Sequence, residues 1–129
     1  MTSDDLNHCR ELWYQAYFDG DSERLTFFES EDFCVISPRG PHFQTQTRTQ
    51  QLQSISQARR AGQWFAHGGS KTDQSLSIEL QGLRAEVRGR GYVCDGDERG
   101  PISQFTEQWR FEQGRWRVVQ LKYQLPGDL

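Results

Sequence analysis

Between Ile102 and Glu112 the chain alternates with a period of two, and this segment constrains the fold more than any other. Its odd positions read Ser103, Phe105, Glu107, Trp109 and Phe111, while the even ones after Ile102 read Gln104, Thr106, Gln108, Arg110 and Glu112. Successive side chains of a β-strand point to opposite faces, so the aromatic side faces the interior and the polar side faces water. Glu107 is the one ionisable residue on the interior side. A carboxylate there is costly unless it is paired or functional, which makes Glu107 the first candidate site residue.

Gln113-Gly114 fits a two-residue turn joining this strand to a last one, Arg115 to Gln124. Counting outward from that turn places Phe111 opposite Trp116, Trp109 opposite Val118, Glu107 opposite Gln120 and Phe105 opposite Lys122. Diagonal neighbours lie about 7–8 Å apart, within reach of a long side chain, so this register lets Lys122 pair with Glu107. The pair can be purely structural or can belong to a site. The same register turns Thr106, Gln108, Val119, Leu121 and Tyr123 outward, a face suited to a homodimer formed through the sheet.

The earlier half of the chain reads as helices. Ser3 followed by Asp4 and Asp5 starts one that runs to Asp19, with Leu6, Cys9, Leu12, Trp13, Ala16 and Tyr17 at helical spacing and Gly20 at its end. Asp21 caps a shorter helix in which Leu25 and Phe28 face inward. The apolar run Phe33 to Ile36 is a short buried strand, ended by Ser37-Pro38-Arg39-Gly40-Pro41. Thr47 to Arg60 suits an amphipathic helix with Leu52 and Ile55 on one side. The remainder gives strands at Gln74–Gln81, Leu83–Asp95, Ile102–Glu112 and Arg115–Gln124. Helices first and antiparallel strands afterwards is the α+β pattern, and 129 residues predict one domain.

With 34% apolar residues and a mean hydropathy of -0.85, the four Trp, four Tyr and eight Phe must carry the core. Fifteen basic and eighteen acidic residues are interspersed, so no basic face for nucleic acid is expected. Cys9, Cys34 and Cys94 show neither metal nor redox spacing, and His8, His42 and His67 fall at no ligand spacing from them. No metal site is expected. Asp95-Gly96-Asp97-Glu98 lacks the alternating ligands of a calcium loop and reads as a hairpin turn. No glycine-rich phosphate loop is present, so the expected chemistry is cofactor-free. The first residues carry no signal-peptide pattern and no 18-residue apolar stretch occurs, which predicts a cytoplasmic protein with no membrane partner.

The order of these elements, the Gly20-Asp21 turn, the Ser37-Pro38-Arg39-Gly40 segment and the run Thr106 to Trp116 together resemble the nuclear transport factor 2-like superfamily. The terminal run, a Trp, a Gly turn and a second Trp, is similar to its SnoaL-like members and to the association domain of calcium/calmodulin-dependent protein kinase. The resemblance covers nearly the whole chain. It implies a cone-shaped, curved antiparallel sheet wrapped around N-terminal helices, enclosing a pocket, and a dimer through the sheet. It does not fix an activity, since members include isomerases, cyclases, dehydratases, epoxide hydrolases and non-catalytic assembly modules.

The isomerase pattern maps a helix-one tyrosine to Trp13, the general base to Ser37 and a second pocket acid to Glu107. A serine hydroxyl is too weak a base to take a carbon-bound proton unaided, so steroid isomerisation by that mechanism is not expected. In the kinase association domain, histidines stand at the positions of Gln120 and Lys122 and an arginine at that of Glu107, which implies a different ligand here. The resulting expectation is a pocket for a small, largely apolar molecule. Glu107 is its proton-transferring or hydrogen-bonding group, Lys122 or Gln120 orients it, and Trp13, Tyr17, Phe33, Trp64 and Trp109 either line it or form ordinary core. Glu107→Gln would then abolish function and leave the fold intact. The alternative is a non-catalytic dimeric module in which Glu107 is only a structural partner.

Overall fold

A computed structural model of the protein describes residues 2–124. Helix α1 (Ser3–Asp19) starts on a capping box at Thr2, whose hydroxyl accepts the Asp5 N–H while the Asp5 carboxylate accepts the Thr2 N–H. It stops at Gly20, whose φ of 64° is left-handed backbone that favours glycine. Helix α2 (Ser22–Phe28) is capped by Asp21, and α3 (Arg48–Arg60) by Thr47 with Gln50 completing a second capping box. Among the described residues, no helix is long and apolar enough to cross a membrane.

Among the described residues seven strands follow or interleave: β1 (Glu29–Arg39), β2 (His42–Thr47), β3 (Gly69–Gln81), β4 (Arg84–Asp95), β5 (Glu98–Arg99), β6 (Ser103–Glu112) and β7 (Arg115–Gln124). They form one sheet in the order β2-β1-β7-β6-β4-β3, with β5 on β4. The sheet is mixed, which corrects the expectation of a purely antiparallel one: β1 runs parallel to β7. No turn ties these two strands together, so the hairpin logic that makes the neighbouring pairs antiparallel does not act on them.

Three local differences from the sequence expectation matter for the site. Strand β1 extends from Glu29 through Pro38, because pairing with β7 has ended by Ile36 and a missing N–H is tolerated there. Gly40-Pro41 then makes a tight turn into β2, a strand of His, Gln, Thr and Phe that carries no apolar period. Finally, β7 contains a bulge. Phe111 faces Trp116 and Trp109 faces Val118 as counted from the turn, but Val119 is left unpaired, so Glu107 faces Leu121 and Thr106 faces Lys122. Beyond the bulge the parity of β7 reverses.

The core lies between α1 and the inner face of the sheet. Leu6, Trp13 and Ala16 of α1 pack with Phe33, Val87, Phe105, Trp109 and Val118. On the far side, β3 and β4 come so close at Gly91 that an added Cβ would strike the Thr72 carbonyl oxygen, and at Gly89 one would strike the Phe105 ring. These glycines accompany a register shift between Asp73 and Ser75, where the edge of the sheet bends.

Candidate functional site

The parity of β6 delivers Glu107 to the interior, where it is 0% exposed. It is not an open acid. Arg10 of α1 grips it with two hydrogen bonds, Nε to Oε1 at 2.6 Å and Nη2 to Oε2 at 2.8 Å. The Tyr14 hydroxyl donates to Oε2 at 2.7 Å and the Trp109 indole N–H to Oε1 at 2.9 Å. Burial disfavours the Arg10 charge, but the paired carboxylate more than offsets this and raises its pKa. The Tyr14 hydroxyl is held far above its ordinary pKa by burial and then by the Glu107 charge. Both Glu107 oxygens are therefore saturated by donors that tie α1 to the sheet.

Lys122 does not reach this acid. The bulge at Val119 turns Gln120 and Lys122 to the other face of β7, and the Lys122 ammonium lies 4.9 Å from the centre of the Phe43 ring. Leu121 and Tyr123, expected outward, instead face the interior, and Leu121 is 5% exposed. The outward face proposed for a dimer thus loses its two large side chains.

A cavity of about 230 Å³ opens between α1, α3 and the inner face of the sheet. Trp13, Tyr14 and Tyr17 come from α1, Val35 and Ser37 from β1, Gln51, Ser54 and Ile55 from α3, and Leu121 and Tyr123 from β7, with Gln46 and Trp64 completing the wall. The Trp64 indole donates to the Tyr17 carbonyl at 2.9 Å, and its ring meets Tyr17 edge-on with centroids 5.0 Å apart. Of the expected aromatic lining, Trp13, Tyr17 and Trp64 are in the wall. Phe33 and Trp109 stand behind it in the core, each edge-on to Trp13. Other hollows are larger, among them one of about 690 Å³ on the sheet, but its walls are mainly Ser, Arg, Gln and Thr side chains. Aromatic lining and position under the helices single out the smaller cavity.

A second buried carboxyl lies behind the wall of this cavity. Glu29 begins β1 and is 1% exposed. Its Oε2 accepts the Trp13 indole N–H at 3.0 Å and the Gln51 amide at 2.9 Å, both from residues of the cavity wall. Its Oε1 has no partner among the described residues, and burial pushes the carboxyl up to about 7. The native carboxyl thus takes its proton near pH 7, whereas a free glutamate does so near 4.5. Between those values the native state holds more protons than the unfolded chain, so stability falls as pH rises, by about 3 kcal/mol across the window. Glu29→Gln is expected to flatten this slope and to be at least as stable as the parent at pH 8, as read by urea denaturation at pH 5 and pH 8.

Arg10, Tyr14, Glu29 and Gln51 escaped sequence reasoning, and Tyr123 was assigned to the outward face instead of the cavity wall. Arg10 left a signal: Leu6, Arg10, Trp13 and Tyr17 are spaced by four, three and four, which sets a lone cation on the apolar stripe of α1. Among the described residues there is no group of three or more His, Cys, Asp or Glu able to hold a metal ion.

No protein-family model matches the chain, and no curated protein matches it. Solved structures do. An NTF2-like protein from Cytophaga hutchinsonii aligns with a TM-score of 0.76 at 15% identity, over 97% of this chain and 99% of that one. An NTF2-like protein with a cystatin-like fold from Novosphingobium aromaticivorans aligns at 0.70 and 22% identity, over 98% and 84%. A Shewanella frigidimarina protein provisionally named a ketosteroid isomerase aligns at 0.63 and 13% identity, over 91% and 92%. The chain has the NTF2-like fold.

Proposed function

We propose that the protein binds a small, neutral, largely apolar molecule in the cavity between α1, α3 and the sheet. The observation that carries this reading is the wall itself: Trp13, Tyr17, Trp64, Ile55 and Leu121 supply apolar area, while Gln51, Ser37 and the Tyr hydroxyls offer a few orienting polar groups. A neutral ligand fits because among the described residues no Lys, Arg or His lines the cavity, the Glu107 charge behind Tyr14 is already matched by Arg10, and the Glu29 carboxyl behind Trp13 and Gln51 is shifted toward its uncharged form by burial. The isomerase name of one similar structure is compatible with a ligand of this kind. In this reading Glu107 is an anchor rather than a catalytic residue, since its four donors leave no oxygen lone pair directed at a guest.

The test uses 2-naphthol, a planar apolar ring system with one hydroxyl, titrated by calorimetry. One molecule should bind per chain. Ser54 is exposed at the cavity mouth, on α3, so Ser54→Trp closes the entrance without touching the core. The substitution should weaken binding by about tenfold or more while changing stability by less than about 0.5 kcal/mol. Affinity unchanged by the blocked mouth would reject the reading.

A further inference from the structure

Of the fifteen basic residues only two are lysines, Lys71 and Lys122, and they occupy opposite environments. Lys122 sits on the outer side of β7 against Phe43. Lys71, on β3, has a side chain only 6% exposed. Its Nζ donates to the Tyr14 hydroxyl at 3.0 Å, lies 3.2 Å from Asp73 Oδ1, and rests 3.4 Å from the centre of the Phe105 ring. Tyr14 passes its own proton toward Glu107, so its oxygen is free to receive the lysine N–H. Two polar partners and two aromatic faces, Phe105 and the Tyr14 ring whose centre is 4.2 Å away, thus replace the water shell of the ammonium. A permanent cation in this place would serve as well as an arginine; only an amine can also become neutral.

Lys71 also faces a cavity of its own. A hollow of about 280 Å³ between α1 and β3 is bordered by Lys71, Asp73, Ser70, Arg10, Tyr14 and Phe18. Asp73 is 31% exposed and stands where this hollow meets solvent. Burial brings the Lys71 ammonium down to about 8 against the pull of Glu107 and Asp73, with the Arg10 charge acting in the same sense as burial.

We propose that Lys71 is a nucleophilic amine that captures small uncharged aldehydes as an imine in the hollow between α1 and β3, which adjoins the cavity under α3 through the shared Tyr14 side chain. The neutral Nζ attacks the carbonyl carbon; a C–N bond forms and the C=O π pair moves to oxygen, which takes a proton as Nζ gives one up. Loss of that oxygen as water leaves the imine, so amine and aldehyde become imine and water with no oxidant or reductant. Asp73, beside Nζ, is placed to carry these protons.

The folded protein is treated with propanal and sodium cyanoborohydride at pH 8, which reduces any imine to a stable propyl-amine, and the two lysine peptides are quantified by mass spectrometry. Lys122 is the internal reference. Lys71 should be propylated about tenfold faster than Lys122, and urea unfolding should erase the difference. In folded Lys71→Arg the fast propylation should vanish while that at Lys122 persists. Labelling of native Lys71 at or below the rate of Lys122 would overturn the assignment, as would a Lys71 preference that persists in the urea-unfolded chain.

Discussion

Glu107→Gln is expected to destabilise the protein by about 3–5 kcal/mol, because it removes the buried, bidentate counter-charge of the Arg10 guanidinium and leaves it only the longer 3.6 Å contact with the part-exposed Asp73. The amide keeps the volume and one acceptor, but it presents an N–H2 to donors that already point at that position, Arg10, Tyr14 and Trp109. The sequence alone suggested the opposite outcome, loss of function with the fold intact. Urea denaturation followed by circular dichroism separates the two; a loss below about 1 kcal/mol would contradict the anchoring role. The double substitution Arg10→Leu with Glu107→Leu removes both charges at once and should cost less than the sum of the single ones.

Trp109→Ala should cost a similar amount, about 3–5 kcal/mol, for a different reason. Trp109 is 2% exposed and its ring stands edge-on to Trp13, with centroids 5.6 Å apart, so its removal opens a void behind the wall of the ligand cavity. It also withdraws one donor from Glu107. Trp109→Phe retains most of the ring and loses that hydrogen bond, so the smaller loss in this variant apportions the packing and polar parts. Chemical denaturation of the three proteins makes the comparison, and near-equal losses for Ala and Phe would show that the void is not the main cost.

The inner and outer faces of β6 were legible because Phe105, Trp109 and Phe111 share one side and the other is polar, and parity alone then fixes where Glu107 points. Its partner was not read, although Arg10 stands on the apolar stripe of α1 as visibly as Glu107 stands on its strand. The bulge at Val119 also left a trace: apolar residues fall at Trp116 and Val118, then at Leu121 and Tyr123, so their parity changes once within β7. Counting from the turn treated the strand as regular, and the assignment of Lys122 and Gln120 to the site failed on that step. Other features lie beyond local pattern. Strand β2 has His42, Gln44 and Gln46 on one face and Phe43, Thr45 and Thr47 on the other, so both faces are largely polar and no apolar period marks it. The parallel pairing of β1 with β7 joins segments far apart in the chain, and alternation carries no information on direction. Glu29 sits beside Glu31 and Asp32 in an acidic stretch that resembles a solvated turn until the partners Trp13 and Gln51 come to it from two helices.

The cavity under α1 and α3 is tested most directly by methyl-resolved NMR of the protein during titration with 2-naphthol. The methyl signals of Val35, Ile55 and Leu121 should shift together and saturate with one molecule bound, while Leu76 and Leu83, exposed away from that cavity, stay in place. Shifts confined to Leu76 or Leu83 with the three cavity methyls unmoved would contradict the account.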